Sequence, residues 1–385
     1  MPCTEDHPED IAADIMAEAR RALEICNACQ YCNGYCAVFR TLKARRQVGT
    51  ADLLFLANLC HNCRSCYHAC QYAPPHAFGV NLPKSLSLVR QRSYRDHAWP
   101  PLLRRRLRYT GRAVVIATLL AVEVLTLAAI LAVPAGTLLG RHSGPGAFYR
   151  VVPWEVMAGV AGIVMLWSLL AIALSVAAFW RGMGPAPAGV SLPAALRDTV
   201  LDVLTLRNLG GGGAGCYGRE GGREGGLSQT RRRFHHALFY SVALCFASTA
   251  VATLYDHLFG WQAPYPVLSL PVLLGSLGGG GIMAGTAGLA LLKRRADPVP
   301  VAASVTGGDR AFLLVLFLAA ASGLALLALR GTAAMGPLLL THLGIVLGVF
   351  ATLPYGKFLH APFRVAALLR AAMERNAGSR TRPPA

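Results

Sequence analysis

The chain has 385 residues, 54% of them hydrophobic and only 15% charged, against roughly 25% charged residues in an ordinary soluble chain. Mean hydropathy is +0.44 and the formal net charge is +18. This balance excludes a soluble single-domain enzyme, and it requires the basic excess to be read by position before any partner is named.

Residues 1–25 are acidic and helical in pattern (Glu5, Asp6, Glu9, Asp10, Asp14, Glu18), with no apolar stretch of a secretory signal ahead of the first cysteines. The N-terminal part is therefore expected in the cytoplasm. Cysteines there are more often metal ligands or catalytic groups than disulfides.

Eight of the eleven cysteines fall in two copies of one spacing. Cys26, Cys29, Cys32 and Cys36 read C-x2-C-x2-C-x3-C, and Cys60, Cys63, Cys66 and Cys70 repeat it. This is the ligand run of two-cluster ferredoxins: three thiolates of one loop wrap one face of a cubane, and the fourth ligates the other cluster. One [4Fe–4S] cluster would then use Cys26, Cys29, Cys32 and Cys70, and the second Cys60, Cys63, Cys66 and Cys36. Ala37 and Gln71 stand where a Pro usually follows the fourth cysteine, which leaves the fine pairing open. Zinc sites favour C-x2-C pairs a dozen or more residues apart, so two [4Fe–4S] clusters are the expectation. Ala37 to Leu59 reads as helix, which predicts an α-helical ferredoxin-like module over residues 1–111. Cys3, Cys216 and Cys245 lie outside the pattern and read as structural thiols.

From residue 112 the composition changes. Almost uncharged runs cover about 113–133 (broken by Glu123), 156–180, 237–257 (with Asp256 at its end), 267–292, 311–329 and 335–356, each about long enough to cross a bilayer as a helix. The expected fold is thus mostly α: the two-cluster domain, then a six-helix transmembrane bundle over 112–360 set in a lipid bilayer, then a basic tail over 361–385. Lys and Arg orient the spans. Residues 1–112, the 181–236 and 293–310 loops and the stretch from Lys357 to the end hold 34 of them, while the opposite side holds three: Arg141, Arg150 and Arg330. That predicts a multi-pass protein of the inner (cytoplasmic) membrane with both termini cytoplasmic. The charge is a topology signal and points to no nucleic acid. In the Gly-rich loop over 181–234, Gly210, Gly212 and Gly215 match G-x-G-x-x-G, but the motif needs a preceding strand and Leu196 to Leu206 looks helical. A dinucleotide site is rejected.

Five histidines sit at the ends of two spans: His235, His236 and His257 on the third, His342 and His360 on or just after the sixth. On continuous helices, His342 and His360 would share a face about 27 Å apart, and His236 and His257 would lie about 31 Å apart. Such an arrangement could hold one or two b-type haems, each with one His per helix. Either His235 or His236 could partner His360, with His236 preferred, and His257 would pair with His342. Pro354 is a candidate kink. Glu123 is an intramembrane carboxylate, either functional or structural.

The paired runs Cys26 to Cys36 and Cys60 to Cys70, the stretch Leu206-Arg-Asn-Leu-Gly-Gly-Gly-Gly, and Arg232-Arg-Phe-His-His-Ala-Leu-Phe-Tyr-Ser followed by Leu244-Cys-Phe-Ala-Ser-Thr249 resemble the tricarballylate (citrate/tricarballylate) utilization protein B family over nearly the whole chain. The resemblance implies a protein that takes electrons from a cytoplasmic FAD-dependent tricarballylate dehydrogenase as tricarballylate becomes cis-aconitate. The expected route runs through the clusters and haem b to a membrane quinone. The residues on their own indicate an electron conduit without organic chemistry.

Overall fold

The computed structural model describes residues 8–103, 110–210 and 223–380, and every regular element in them is helical. Five helices build the N-terminal unit: α1 (Pro8–Cys29), α2 (Ala37–Leu42), α3 (Thr50–Leu59), α4 (Ser65–His68) and α5 (Leu82–His97). The helix expected across Ala37 to Leu59 is split at 43–49. Its second part starts at Gly49, whose N–H is taken up by the Asp52 carboxylate at 3.0 Å. Helix α5 starts where Asn81 accepts the Lys84 N–H at 3.2 Å and Pro83 occupies the first turn, the chemistry that favours a helix N-terminus. Leu23, Phe39, Leu53, Leu56, Leu86 and Val89 form the buried centre, each fully buried side chain stabilising the unit by about 1.5–3 kcal/mol. The cysteines lie around this centre, partly buried.

The remaining helices are α6 (Thr110–Ala132), α7 (Ala135–Leu138), α8 (Trp154–Gly182), α9 (Leu192–Leu204), α10 (Arg223–Phe259), α11 (Leu270–Arg295), α12 (Ala303–Leu329), α13 (Met335–Thr352) and α14 (His360–Arg380). Six of them are long and apolar enough to cross a membrane: Gly111–Ala132, Trp154–Gly182, Gln229–Phe259, Leu270–Arg295, Ala303–Leu329 and Met335–Thr352. They match the six runs read from sequence. Leu131, Ile163 and Leu166 are 80%, 71% and 68% exposed, an outward apolar belt that lipid would cover. Glu123 is also exposed, on α6. Helix α9 bears out the helical reading of Leu196 to Leu206, while most of the Gly-rich stretch, with Cys216, lies outside the described residues, as does Cys3.

Two packing features position the histidines. Helices α10 and α11 approach closely because α11 presents glycine: a Cβ at Gly285 would sit 2.9 Å from the Phe234 carbonyl oxygen, and one at Gly281 would overlap Ser241. Small residues allow such backbone approach between spans, and the contact fixes the rotation of α10 next to His235. The sixth span, second, does not continue to His360. Helix α13 ends at Thr352, the chain turns through 353–356, and a short 3-10 turn at Lys357–Leu359 leads into α14. The shared face expected for His342 and His360 is therefore absent. Proline cannot extend the hydrogen-bond ladder, and Pro354 lies in this turn. Residues 361–380, read as a tail, form most of α14, which buries Phe363, Ala367 and Ala371 in the same core as α3 and α5. Phe363 stacks on Phe179 of α8 at 4.7 Å and meets Tyr94 of α5 at 5.1 Å, so the N-terminal unit and the membrane helices share one core.

Candidate electron-transfer site

Local backbone explains how each cysteine run curls. Cys26 and Cys29 occupy the last turn of α1, and Gln30, in the left-handed region at φ 56°, ends the helix. Gly34 at φ 99° turns the chain again before Cys36, which caps α2 in extended conformation. In the second run Cys60 follows α3, Asn62 and Arg64 adopt φ 51° and 70°, and Cys66 lies in α4 with Cys70 just beyond it.

The runs enclose two cavities, and each cavity draws its fourth thiol from the other run. Cys26, Cys29, Cys32 and Cys70 line one. Cys36, Cys60, Cys63 and Cys66 line the other, with Cys66 bordering both. All eight thiols are free of disulfides. Electrostatic proximity follows the same grouping. Burial first, then Cys70, Cys32 and Cys29, push the Cys26 thiol up to about 12, while burial, Cys63 and Cys60 raise Cys36. Thiols so shifted stay protonated at neutral pH until a metal displaces the proton. Among the described residues no three His, Cys, Asp or Glu side chains converge on one ion. Four thiols spread around each of two spaces fit iron–sulfur clusters, whose irons supply the positive charge that the thiolates need.

The histidines divide differently from the sequence expectation. The rings of His235 and His360 face each other at 6.3 Å between centroids and 80° between planes. With metal–nitrogen bonds of about 2.0 Å on either side, two imidazoles that share one metal stand about 6 Å apart. His360 Nδ1 meets the Lys357 carbonyl at 2.5 Å, which leaves Nε2 free of the proton and orients the ring, as second-shell carbonyls do for metal-binding imidazoles. Burial, then Arg364 and Lys357, hold His360 well below its ordinary pKa, in the neutral form a ligand requires. His235 Nδ1 is buried without a hydrogen-bond partner. The spacing of these two rings is the one that would let both imidazoles bind a single metal. The neighbouring His236, preferred from sequence as the partner of His360, turns instead toward Tyr240 at 5.9 Å, since consecutive residues of a helix point about 100° apart.

His257 and His342 are not brought together. His257 is half exposed, lies against Trp154 at 5.1 Å and bonds the Thr253 carbonyl at 3.0 Å. His342 bonds Ser322 Oγ at 3.0 Å, and its ring covers Gly323, where a Cβ would come within 2.9 Å of Cε1. Sequence reasoning also missed a basic group between the second cysteine run and the histidine pair: His61, Arg90, Arg231 and Arg364. His61 is held well below its usual pKa by burial and by Arg364, Arg231 and Arg90. The available signal was spacing, since Arg231 and Arg364 each stand one helical turn from His235 or His360.

Comparison with known proteins places this architecture. The citrate utilization protein B family matches residues 107–381, and the Fer4-like domain of citrate utilization protein B matches residues 19–96. The chain is 42% identical to "Citrate utilization protein B" of Escherichia coli over 94% of its own length and 93% of that relative. No solved structure matches.

Proposed function

Because the chain belongs to the citrate utilization protein B family, we propose that it is an electron-transfer protein of the inner membrane. In this reading it accepts electrons from a cytoplasmic FAD-dependent tricarballylate dehydrogenase and delivers them to the quinone pool. Two [4Fe–4S] clusters and a b-type haem supply the one-electron chemistry, and the chain itself supplies ligands, spacing and electrostatics. The observation that carries the reading is the edge-to-face meeting of His235 and His360 at 6.3 Å, beside a cysteine-lined cavity.

Each residue has a definite task. Cys26, Cys29, Cys32 and Cys70 hold one cluster, and Cys36, Cys60, Cys63 and Cys66 hold the second. His235 and His360 hold the haem at the surface that carries the N-terminal unit. His257 and His342, engaged with Thr253 and Ser322 respectively, do not fit a shared haem, and the reading assigns them none. The 34-to-3 distribution of Lys and Arg supports cytoplasmic termini, so both clusters lie on the side of the membrane where a soluble donor would be.

A reduced-minus-oxidised spectrum of the purified protein tests this. A sharp α-band of six-coordinate haem b is expected; His235→Ala and His360→Ala should each abolish the band of one haem and stop quinone reduction. Full haem content and normal quinone reduction in both variants would overturn the assignment.

A further inference from the structure

Two guanidinium groups grip the second cysteine run from the helices that carry the histidine pair. Arg231, four residues before His235 on α10, donates to the Asn62 carbonyl at 2.7 Å and to the His61 carbonyl at 3.1 Å. Arg364, four residues after His360 on α14, donates to the Cys60 carbonyl at 2.8 Å. Arg90 of α5 donates to the same Cys60 carbonyl and to the Ala57 carbonyl at 3.3 Å. The backbone of Cys60 to Asn62 is thus tied to α10 and α14 within one turn of His235 and His360. Charge-assisted hydrogen bonds of this kind are shorter and stronger than neutral ones.

The charge needs its own explanation. Arg90 is 4% exposed, and none of the three forms an ion pair with an Asp or Glu among the described residues. Arg364, as a guanidinium, keeps its proton at neutral pH. A buried cation without a counter-ion, as at Arg90, is costly, and Arg231 and Arg364 beside it are only partly exposed. A four-thiolate cluster in the adjoining cavity is a net anion, and it gains one more negative charge on reduction. Its sulfurs also receive hydrogen bonds here, from the Asn62 N–H to Cys60 and from Ser65 Oγ to Cys63, each at 3.4 Å. On the first run, Gln71 Nε2 reaches Cys29 Sγ at a longer 3.8 Å.

We propose that the cluster of Cys36, Cys60, Cys63 and Cys66 is the inner, electron-delivering cluster, and that Arg231 and Arg364 are positioning residues that lock it to the His235–His360 pair and raise its potential. The inference rests on the haem reading of that pair. A higher potential at the inner cluster makes transfer from the outer cluster downhill, so direction is built into the joint. Reduction adds one electron to the inner cluster, drawn from the outer cluster and ultimately from the donor's flavin.

The test is a redox titration of the full-length protein in detergent, followed by electron paramagnetic resonance of both clusters. Arg364→Gln and Arg231→Gln should each lower the reduction equilibrium of one cluster about tenfold, or about 59 mV for a one-electron couple, and leave the other unmoved. Arg364→Lys, which keeps the charge, should restore most of that shift. In a Cys63→Ser background the shifted signal should be missing. Equal shifts in both clusters, no shift, or loss of half the iron in the Arg364→Lys protein would overturn the proposal. An absent haem band in the unaltered protein would instead sink the haem reading, whereas an unmoved potential in a haem-replete Arg364→Gln protein would sink this inference alone.

Discussion

The two cysteine runs share one spacing and differ in what surrounds them. The first faces outward: Tyr31 beside Cys32 is 64% exposed, Phe78 is 48% exposed, and the cavity is bordered by Tyr67, Gln71 and Tyr72. The second is pressed against α10 and α14 and held there by Arg231 and Arg364. An identical motif therefore takes its role from its neighbours. Residues that could meet a soluble partner flank one run, and cations that favour an additional electron flank the other. The contrast separates an outer from an inner cluster, and three kinds of substitution break or sharpen it.

The largest effect should come from losing one ligand in each run. Cys29→Ser is expected to remove the outer cluster, so that the donor reduces nothing beyond itself. Cys63→Ser should remove the inner cluster and leave the outer one reducible, with quinone reduction falling to background in both variants. The six spans should still insert, because their apolar runs are independent of the clusters. Iron and acid-labile sulfide, measured beside donor-driven reduction, separate the cases. Unchanged iron and sulfide in both proteins would refute the ligand assignment.

Much of this contrast was hidden in the sequence for identifiable reasons. The six spans were legible because twenty uncharged residues have few alternatives, and the cysteine spacing was legible because a cubane restricts it. The crossed grouping of Cys36 and Cys70 could be suggested by analogy, but only the fold brings each thiol to the opposite run. The break after Thr352 was signalled by Pro354 alone, and the shared face of His342 and His360 held only for a continuous helix. The choice of His235 over His236 follows from helix rotation, which Gly281 and Gly285 set against α10. The grip of Arg231 and Arg364 joins residues 169 to 304 positions apart, and their bonds go to backbone carbonyls, which carry no side-chain signature.

A second substitution should act on both runs alike. Glu374 of α14 meets Arg45 at 3.0 Å and Arg370 at 3.1 Å, and Arg45 also pairs with Asp52 and covers the Phe55 ring at 5.1 Å. Arg45 lies between the two runs, and its side chain is 14% exposed, that of Glu374 24%, so solvent screens the pair only partly. Glu374→Gln should cost the N-terminal unit about 1–2 kcal/mol, because Asp52 still compensates Arg45. Thermal bleaching of the iron–sulfur absorbance should begin about 5 °C lower, with both clusters lost together. Selective loss of one cluster would show that α14 supports that run alone.

The smallest and most discriminating effect concerns single hydrogen bonds to sulfur. A donor aimed at a ligating thiolate stabilises the more negative, reduced cluster, so removing it lowers the potential. Ser65 is buried at 1% exposure and reaches Cys63 Sγ at 3.4 Å, whereas the exposed Gln71 reaches Cys29 Sγ at 3.8 Å. Water can replace a donor at an exposed site and cannot easily do so at a buried one. Ser65→Ala should therefore lower the inner cluster's reduction equilibrium roughly threefold, and Gln71→Ala the outer cluster's by about twofold or less. Because alanine is close to serine in volume, the first change leaves packing intact and isolates the bond. The order of the two shifts, read by paramagnetic resonance in the same titration, checks the assignment of each run to its cluster. A larger shift from Gln71→Ala, or both shifts in a single signal, would mean that the outer and inner environments have been assigned the wrong way round.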